Sequence, residues 1–177
     1  NAKAQFGRGA VLARQHKTPE ALAEFEKTLT LDPKFEPAYI EALRLLLSDK
    51  KYPEAEALAK RLQAANAESG DVMLAGIYLE TERPEEAVKI LEARKAASPE
   101  SATARIALAK AYLASKQAEK AEAELQSMVD AGGANVLPAR MALVEVYRAE
   151  GKLDKTVDEL KALVAERPKS EEHTSEL

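Results

Sequence analysis

The chain has 177 residues, 46% apolar and 32% charged, with 26 Lys and Arg against 30 Asp and Glu and a formal net charge of −4. Length and composition suit one ordinary folded region with a real core and exclude a disordered or fibrous chain, and the missing run of roughly 20 apolar residues excludes a helical membrane span. Zero Cys and only two His, His16 and His173, exclude a disulfide frame, a thiolate or multi-His metal site and a Cys nucleophile, and the negative balance counts against nucleic acid as the main partner.

The elements are all helical in pattern. Ala, the best helix former, occurs 35 times. Apolar residues recur at spacings of three and four, as in Leu108, Ala111 and Tyr112. In chain order the pattern predicts helices over 3–15, 19–31, 36–49, 53–65, 71–82, 84–97, 102–115, 118–131, 138–150 and 153–167. Thr18-Pro19, Tyr52-Pro53 and Arg83-Pro84 place Pro at the start of a helix, where its missing N–H does no harm. Gly151 suits a left-handed helix end. Ser69-Gly70 and Gly132-Gly133-Ala134-Asn135 read as turns.

The helices form an internal repeat. Ala21…Phe25, Ala55…Ala59, Ala87…Leu91, Ala121…Leu125 and Thr156…Leu160 align with steps of 34, 32, 34 and 35. Leu12, Leu46, Tyr78, Tyr112 and Tyr147 keep the same four steps, and so do Pro33, Ala67, Pro99, Gly133 and Pro168. Independent columns sharing one set of steps imply five helix-pair units.

The sequence resembles the tetratricopeptide repeat (TPR) family on these columns. Units one and three carry the pattern well, as Gly9, Leu12, Ala21, Phe25 and Pro33, and as Ala75, Tyr78, Ala87, Leu91 and Pro99. Unit two is the poorest, and the family's Trp is absent throughout, with Tyr39 its nearest substitute. The resemblance implies an all-α fold: an α-solenoid of antiparallel helix pairs, about ten helices, wound as a right-handed superhelix. One array then covers residues 1–169, with units at about 2–35, 36–67, 68–101, 102–136 and 137–169. Residues 170–177 resemble a translated sequencing adapter and are expected to be a non-native or disordered tail. The start at Asn1 suggests a piece of a longer protein.

By the same resemblance, the first helix of each unit lines a concave groove. The expected partner-binding residues are Phe6, Ile40, Arg44, Val72, Met73, Leu79, Ile106, Lys110, Met141, Glu145 and Arg148. One column of them, Phe6, Ile40, Val72, Ile106 and Met141, is apolar throughout. An apolar stripe flanked by mixed charge suits a peptide or a partner helix. The TPR subgroup that grips chaperone C-termini uses Lys and Asn, whereas the matching positions here are Phe6, Ala10, Glu41, Thr103 and Ala107. None of these can clamp a carboxylate.

No catalytic constellation is evident. His16 sits at a helix–helix turn where the family often has Gly, and the carboxylates fall on solvated helix faces. The reading is therefore a noncatalytic scaffold for a protein or peptide partner, with no cofactor, metal, nucleic acid or membrane span. Its Ala-rich units resemble bacterial envelope proteins of exopolysaccharide export or protein sorting, which leaves periplasm or cytoplasm open. The alternatives are an accessory region of an enzyme and a self-associating structural repeat.

Overall fold

The polar and apolar spacing becomes ten α-helices in the computed structural model, which describes residues 1–165. The expectation for residues 170–177 lies outside the described residues. The chain forms two compact units, the first spanning Asn1–Ala97 and the second beginning at Ser98. The first holds α1 (Ala2–Arg14), α2 (Thr18–Leu31), α3 (Glu36–Ser48), α4 (Tyr52–Ala65), α5 (Ala67–Glu80) and α6 (Pro84–Ala97). The second holds α7 (Ala102–Ala114), α8 (Ala118–Ala131), α9 (Val136–Ala149) and α10 (Leu153–Ala165). There is no strand among the described residues.

Each helix pair closes through the same turn. His16, Lys50, Glu82, Lys116 and Gly151 all have left-handed backbones, with φ of 58°, 55°, 58°, 61° and 70°. The N–H after each reaches back across the helix end: Lys17 to Leu12 O, Lys51 to Leu46 O, Arg83 to Tyr78 O, Gln117 to Tyr112 O and Lys152 to Tyr147 O, at 2.7–3.0 Å. This is a Schellman stop. In four of the five turns a residue with a side chain accepts a backbone that a Cβ disfavours. The left-handed conformation recurs at all five turns, though only Gly151 supplies a glycine there.

The core follows the small–large columns. Ala21, Ala55, Ala87 and Ala121 are fully buried. Phe25 is also fully buried, and a Cβ placed on Gly9 would stand 2.6 Å from its ring. The next pair inverts the sizes: Leu43 replaces Gly9 and Ala59 replaces Phe25, both buried. A further column, absent from those read in the sequence, lies as deep. Ala42, Leu74, Leu108 and Leu143 are buried, whereas its first member, Arg8, is exposed on the outer face of α1.

Two helix starts fall two or more residues before the sequence expectation. The pattern starts the fifth helix at 71, but α5 begins at Ala67, with Asn66 Oδ1 accepting from Ser69 N at 3.2 Å as its cap. Ser69 and Gly70 are therefore helical, and the two-residue deficit falls in the α4–α5 connection, reduced to Asn66 alone. So short a link presses the helices together. A Cβ on Gly70 would stand 2.2 Å from Gln63 Cα. The ninth helix begins at Val136 rather than 138, preceded by a 3-10 turn over Gly133–Asn135.

At the position where the TPR family carries Trp, three of the five residues form polar clamps. The column reads Gln5, Tyr39, Asp71, Arg105 and Arg140. Arg105 Nε meets Glu124 Oε1 at 2.5 Å, Arg140 meets Glu159 at 2.8 Å, and Asp71 meets Arg94 at 2.6 Å with the charges reversed. Each joins the first helix of a pair to the second. All six side chains are largely buried, so removing one partner would strand the other.

Candidate partner-binding surface

The expected groove residues all lie on α1, α3, α5, α7 and α9, the first helices of the pairs. Their depth varies more than one column suggests. In the first unit, Phe6 is half-buried, its ring 5.7 Å from Phe25 and 5.2 Å from Phe35. It joins an aromatic cluster that ties α1 to α2 and to the approach of α3. Ile40 is 40% exposed. Arg44 is exposed and held by Glu41, with bonds of 2.7 and 3.1 Å from Nη2 and Nε. Val72, Met73 and Leu79 are half-buried, Met73 against the core.

In the second unit, Ile106 is half-buried and Met141 is 58% exposed. Lys110 Nζ lies 3.7 Å from Glu145 Oε2, an ion pair that links α7 to α9 with both side chains more than half exposed. Such a pair is worth about 0–1 kcal/mol. Arg148 is exposed one turn further along α9. The second unit thus presents a thioether and an aliphatic chain beside charges that solvent already weakens.

Glu24 is held low by Lys27 of its own helix, and the other groups with shifted titration lie at the seams between successive pairs. Hydrogen bonds from Lys155, Lys152 and Tyr147 outweigh burial and hold the Glu122 carboxyl down at about 2. Burial, then the Glu122 charge, pushes the Tyr147 phenol up to about 12. Lys60 and Arg83 hold Glu56 below the usual carboxylate range, against burial. These are packing contacts rather than a poised acid and base. His16, the one candidate base within the described residues, is exposed in its left-handed turn. Among the described residues no group of three or more His, Asp or Glu is arranged to hold a metal ion, and no helix is long and apolar enough to cross a membrane.

The sequence reading missed two features. One is the set of buried clamps on the Trp column, whose signal was the recurrence of Asp or Arg at steps of 34 and 35. The other is a cleft between α2 and α4, lined by Leu22, Leu29, Leu46 and Leu58, with a volume of about 360 Å³.

The family model of subunit 3 of the anaphase-promoting complex (cyclosome) matches residues 48–128. No curated protein matches the chain. Among solved structures, a thermophilic TPR protein of Thermus thermophilus superposes with a TM-score of 0.71 at 22% identity, covering 96% of this chain and 93% of that one. MamA from Desulfovibrio magneticus RS-1 (residues 41 to the end) gives 0.64 at 18%, covering 93% of each. YrrB, a TPR protein with an unusual peptide-binding site, gives 0.57 at 18%, covering 96% of this chain and 88% of that one.

Proposed function

We propose that this chain, a helical repeat array of the tetratricopeptide type, is a noncatalytic scaffold that binds a protein or peptide partner on its first-helix faces. The observation that carries the reading is the exposure of Ile40 and Met141 in an otherwise half-buried apolar column. Each stands beside charged side chains, Arg44–Glu41 and Lys110–Glu145, held by exposed or partly exposed pairs. A partner gains apolar burial there and can exchange those weak pairs for its own. The likeness to YrrB supports a peptide as the occupant. The Ala-rich first helices, Arg105 to Ala114 above all, support a setting in bacterial envelope assembly, as in export or protein sorting.

The test uses the full chain as bait against bacterial envelope and cytosolic fractions, followed by purified binding of what is captured. Ile40→Glu and Met141→Glu should each weaken that binding at least about tenfold, since each buries a charge in the contact. Lys60→Glu, on a second helix, should not. Circular dichroism must show equal helicity. Binding that survives both groove substitutions would remove the first-helix faces from the reading.

A second reading, self-association, is favoured by one observation. Leu153, Val157, Leu160 and Val164 on α10 are all large, apolar and exposed. Their spacing of four, three and four is that of a helix–helix seam.

A further inference from the structure

The seams between successive helix pairs share a slot, and what fills it differs. Within the two units, Leu46, Tyr78 and Tyr147 of one column supply it at the second, third and fifth pairs. At the third pair, Tyr78 lies under the Arg83 guanidinium at 4.5 Å, and Arg83 Nη2 donates to Glu56 of the preceding second helix at 2.7 Å. At the fifth, Tyr147 lies beneath Lys155 and Lys152, at 5.0 and 5.9 Å, and its hydroxyl donates to Glu122 of α8 at 3.1 Å. Both slots hold an aromatic ring, a cation on its face and a carboxylate from the preceding second helix.

The second pair breaks the pattern at each place. Leu46 stands where the ring would be, and Leu22 stands where Glu56 and Glu122 supply the carboxylate. Lys51, which matches Arg83 and Lys152, turns to Asp49 at 4.0 Å instead. The shorter side chain leaves the slot open. Here lies the cleft of about 360 Å³ between α2 and α4, floored by Ala42 and Leu46 and walled by Leu22, Leu29 and Leu58. Its rim carries Glu54 and the bidentate pair of Arg61 with Glu26, at 2.9 and 3.1 Å. Two carboxylates against one guanidinium leave the rim acidic.

We infer that this cleft is a docking slot for an aromatic side chain of a partner peptide, carried beside a basic residue. The walls are apolar and concave, the form that seats a ring. The sister slots show which group this scaffold accommodates there, since the same backbone frame holds Tyr78 and Tyr147. The acidic rim complements the cation that accompanies the ring in both. The cleft opens between second helices, so occupancy here is separate from binding on the first-helix faces.

The full chain, labelled with ¹⁵N, is titrated with N-acetyl-tyrosyl-lysinamide and, in parallel, with N-acetyl-leucyl-lysinamide. The inference expects saturable amide shifts at Leu22, Ala57 and Leu58, with affinity on the order of millimolar and about fivefold tighter for the tyrosyl peptide. Leu46→Tyr closes the slot with its own ring, so affinity should fall at least about tenfold with helicity unchanged. If that variant loses helicity, Ala57→Arg at the exposed rim replaces it, with the same loss expected. Glu54→Lys should weaken the tyrosyl-lysyl peptide about threefold and leave N-acetyl-tyrosinamide unaffected. Scattered or unsaturable shifts, equal affinity for the leucyl peptide, or binding that survives the closed slot would each overturn the inference. So would concentration-dependent shifts at these residues without peptide, which would give the cleft to a second copy.

Discussion

At the residue scale, two glycines on one helix face opposite requirements. Gly70 has no room: its Cβ would enter the Gln63 backbone, which cannot move aside as a side chain can. Gly76, six residues later in α5, meets nothing within 4 Å. Gly70→Ala should therefore cost about 3 kcal/mol or more, and Gly76→Ala should gain about 0.5–1 kcal/mol from helix propensity, both read as shifts in urea midpoint. Equal effects would mean that α4 and α5 do not approach as described. The turn column makes a second prediction. Lys50 and Lys116 sit at φ of 55° and 61°, where a Cβ is unfavourable by roughly 1–2 kcal/mol. Lys50→Gly and Lys116→Gly should each raise stability by about 1 kcal/mol, and Gly151→Ala should lower it by a similar amount. The sequence told which residues occupy this slot, because His16 falls there by alignment. It could not tell that Ser69-Gly70 is helical. A Gly reads as a turn until a neighbouring backbone is seen to pass 2.2 Å from where its Cβ would stand.

At the element scale, one carboxylate ties α8 to both α9 and α10. Glu122 accepts from Lys152 at 3.0 Å and Tyr147 at 3.1 Å, and from Lys155. Its folded pKa of about 2 lies below the ordinary value of 4.5. The stabilisation it gives is therefore fully present above about pH 4.5, and it is lost as pH falls from there through about 2. The carboxylate is about a quarter exposed, so solvent reduces the linkage value to about 1–2 kcal/mol. Glu122→Gln should cost that much at neutral pH, and the two proteins should converge in stability by about pH 2. A gap that persists there would show that packing, not charge, sets the loss. Tyr147 works at the other end of the pH scale. Its phenol is raised from 10.0 to about 12, so its share is intact below about pH 10 and changes only between 10 and 12. There the folded chain keeps a proton that the unfolded chain sheds, and stability falls. The helices that meet at this seam were legible in the sequence, since five units repeat the helix-pair pattern, although α9 starts two residues before the pattern places it. The clamps were not, because an Arg at 105 or 140 looks like any solvated charge until a Glu on the next helix is seen to face it.

At the scale of the whole molecule, repetition explains why the fold was readable and the surface was not. Each column states one packing requirement five times, so the pattern exceeds chance even where one unit departs from it. A surface column states only which way a residue faces. Phe6 and Met141 share a column, yet one is locked in an aromatic cluster and the other is mostly exposed. Depth depends on neighbours that the column does not encode. The first and last described helices show the same limit. On α1 the outward position of a core column is Arg8, whose guanidinium lies 3.9 Å from the Glu24 carboxylate of α2. On α10 the outward face is Leu153, Val157, Leu160 and Val164, the first and last more than 70% exposed. A stripe of this kind on a repeat array is a face that another helix can cover. A second α10 suits it better than α1 does, since Arg8 would be buried in a head-to-tail seam. In an antiparallel pairing of two α10 helices the apolar stripe faces itself, and the flanking Asp154 of one copy falls opposite Lys161 of the other. The contact is one helix wide, so the dimer should be weak, with a dissociation constant on the order of 10–100 μM. Sedimentation equilibrium should show mass rising with concentration through that range. Val157→Glu with Val164→Lys should hold the chain at 19.2 kDa. Lys161→Asp alone should weaken the dimer, and adding Asp154→Lys should restore it, because the pairing is reciprocal. A chain that stays monomeric at several hundred micromolar, or a charge swap that fails to restore, would leave α10 without a partner of its own kind.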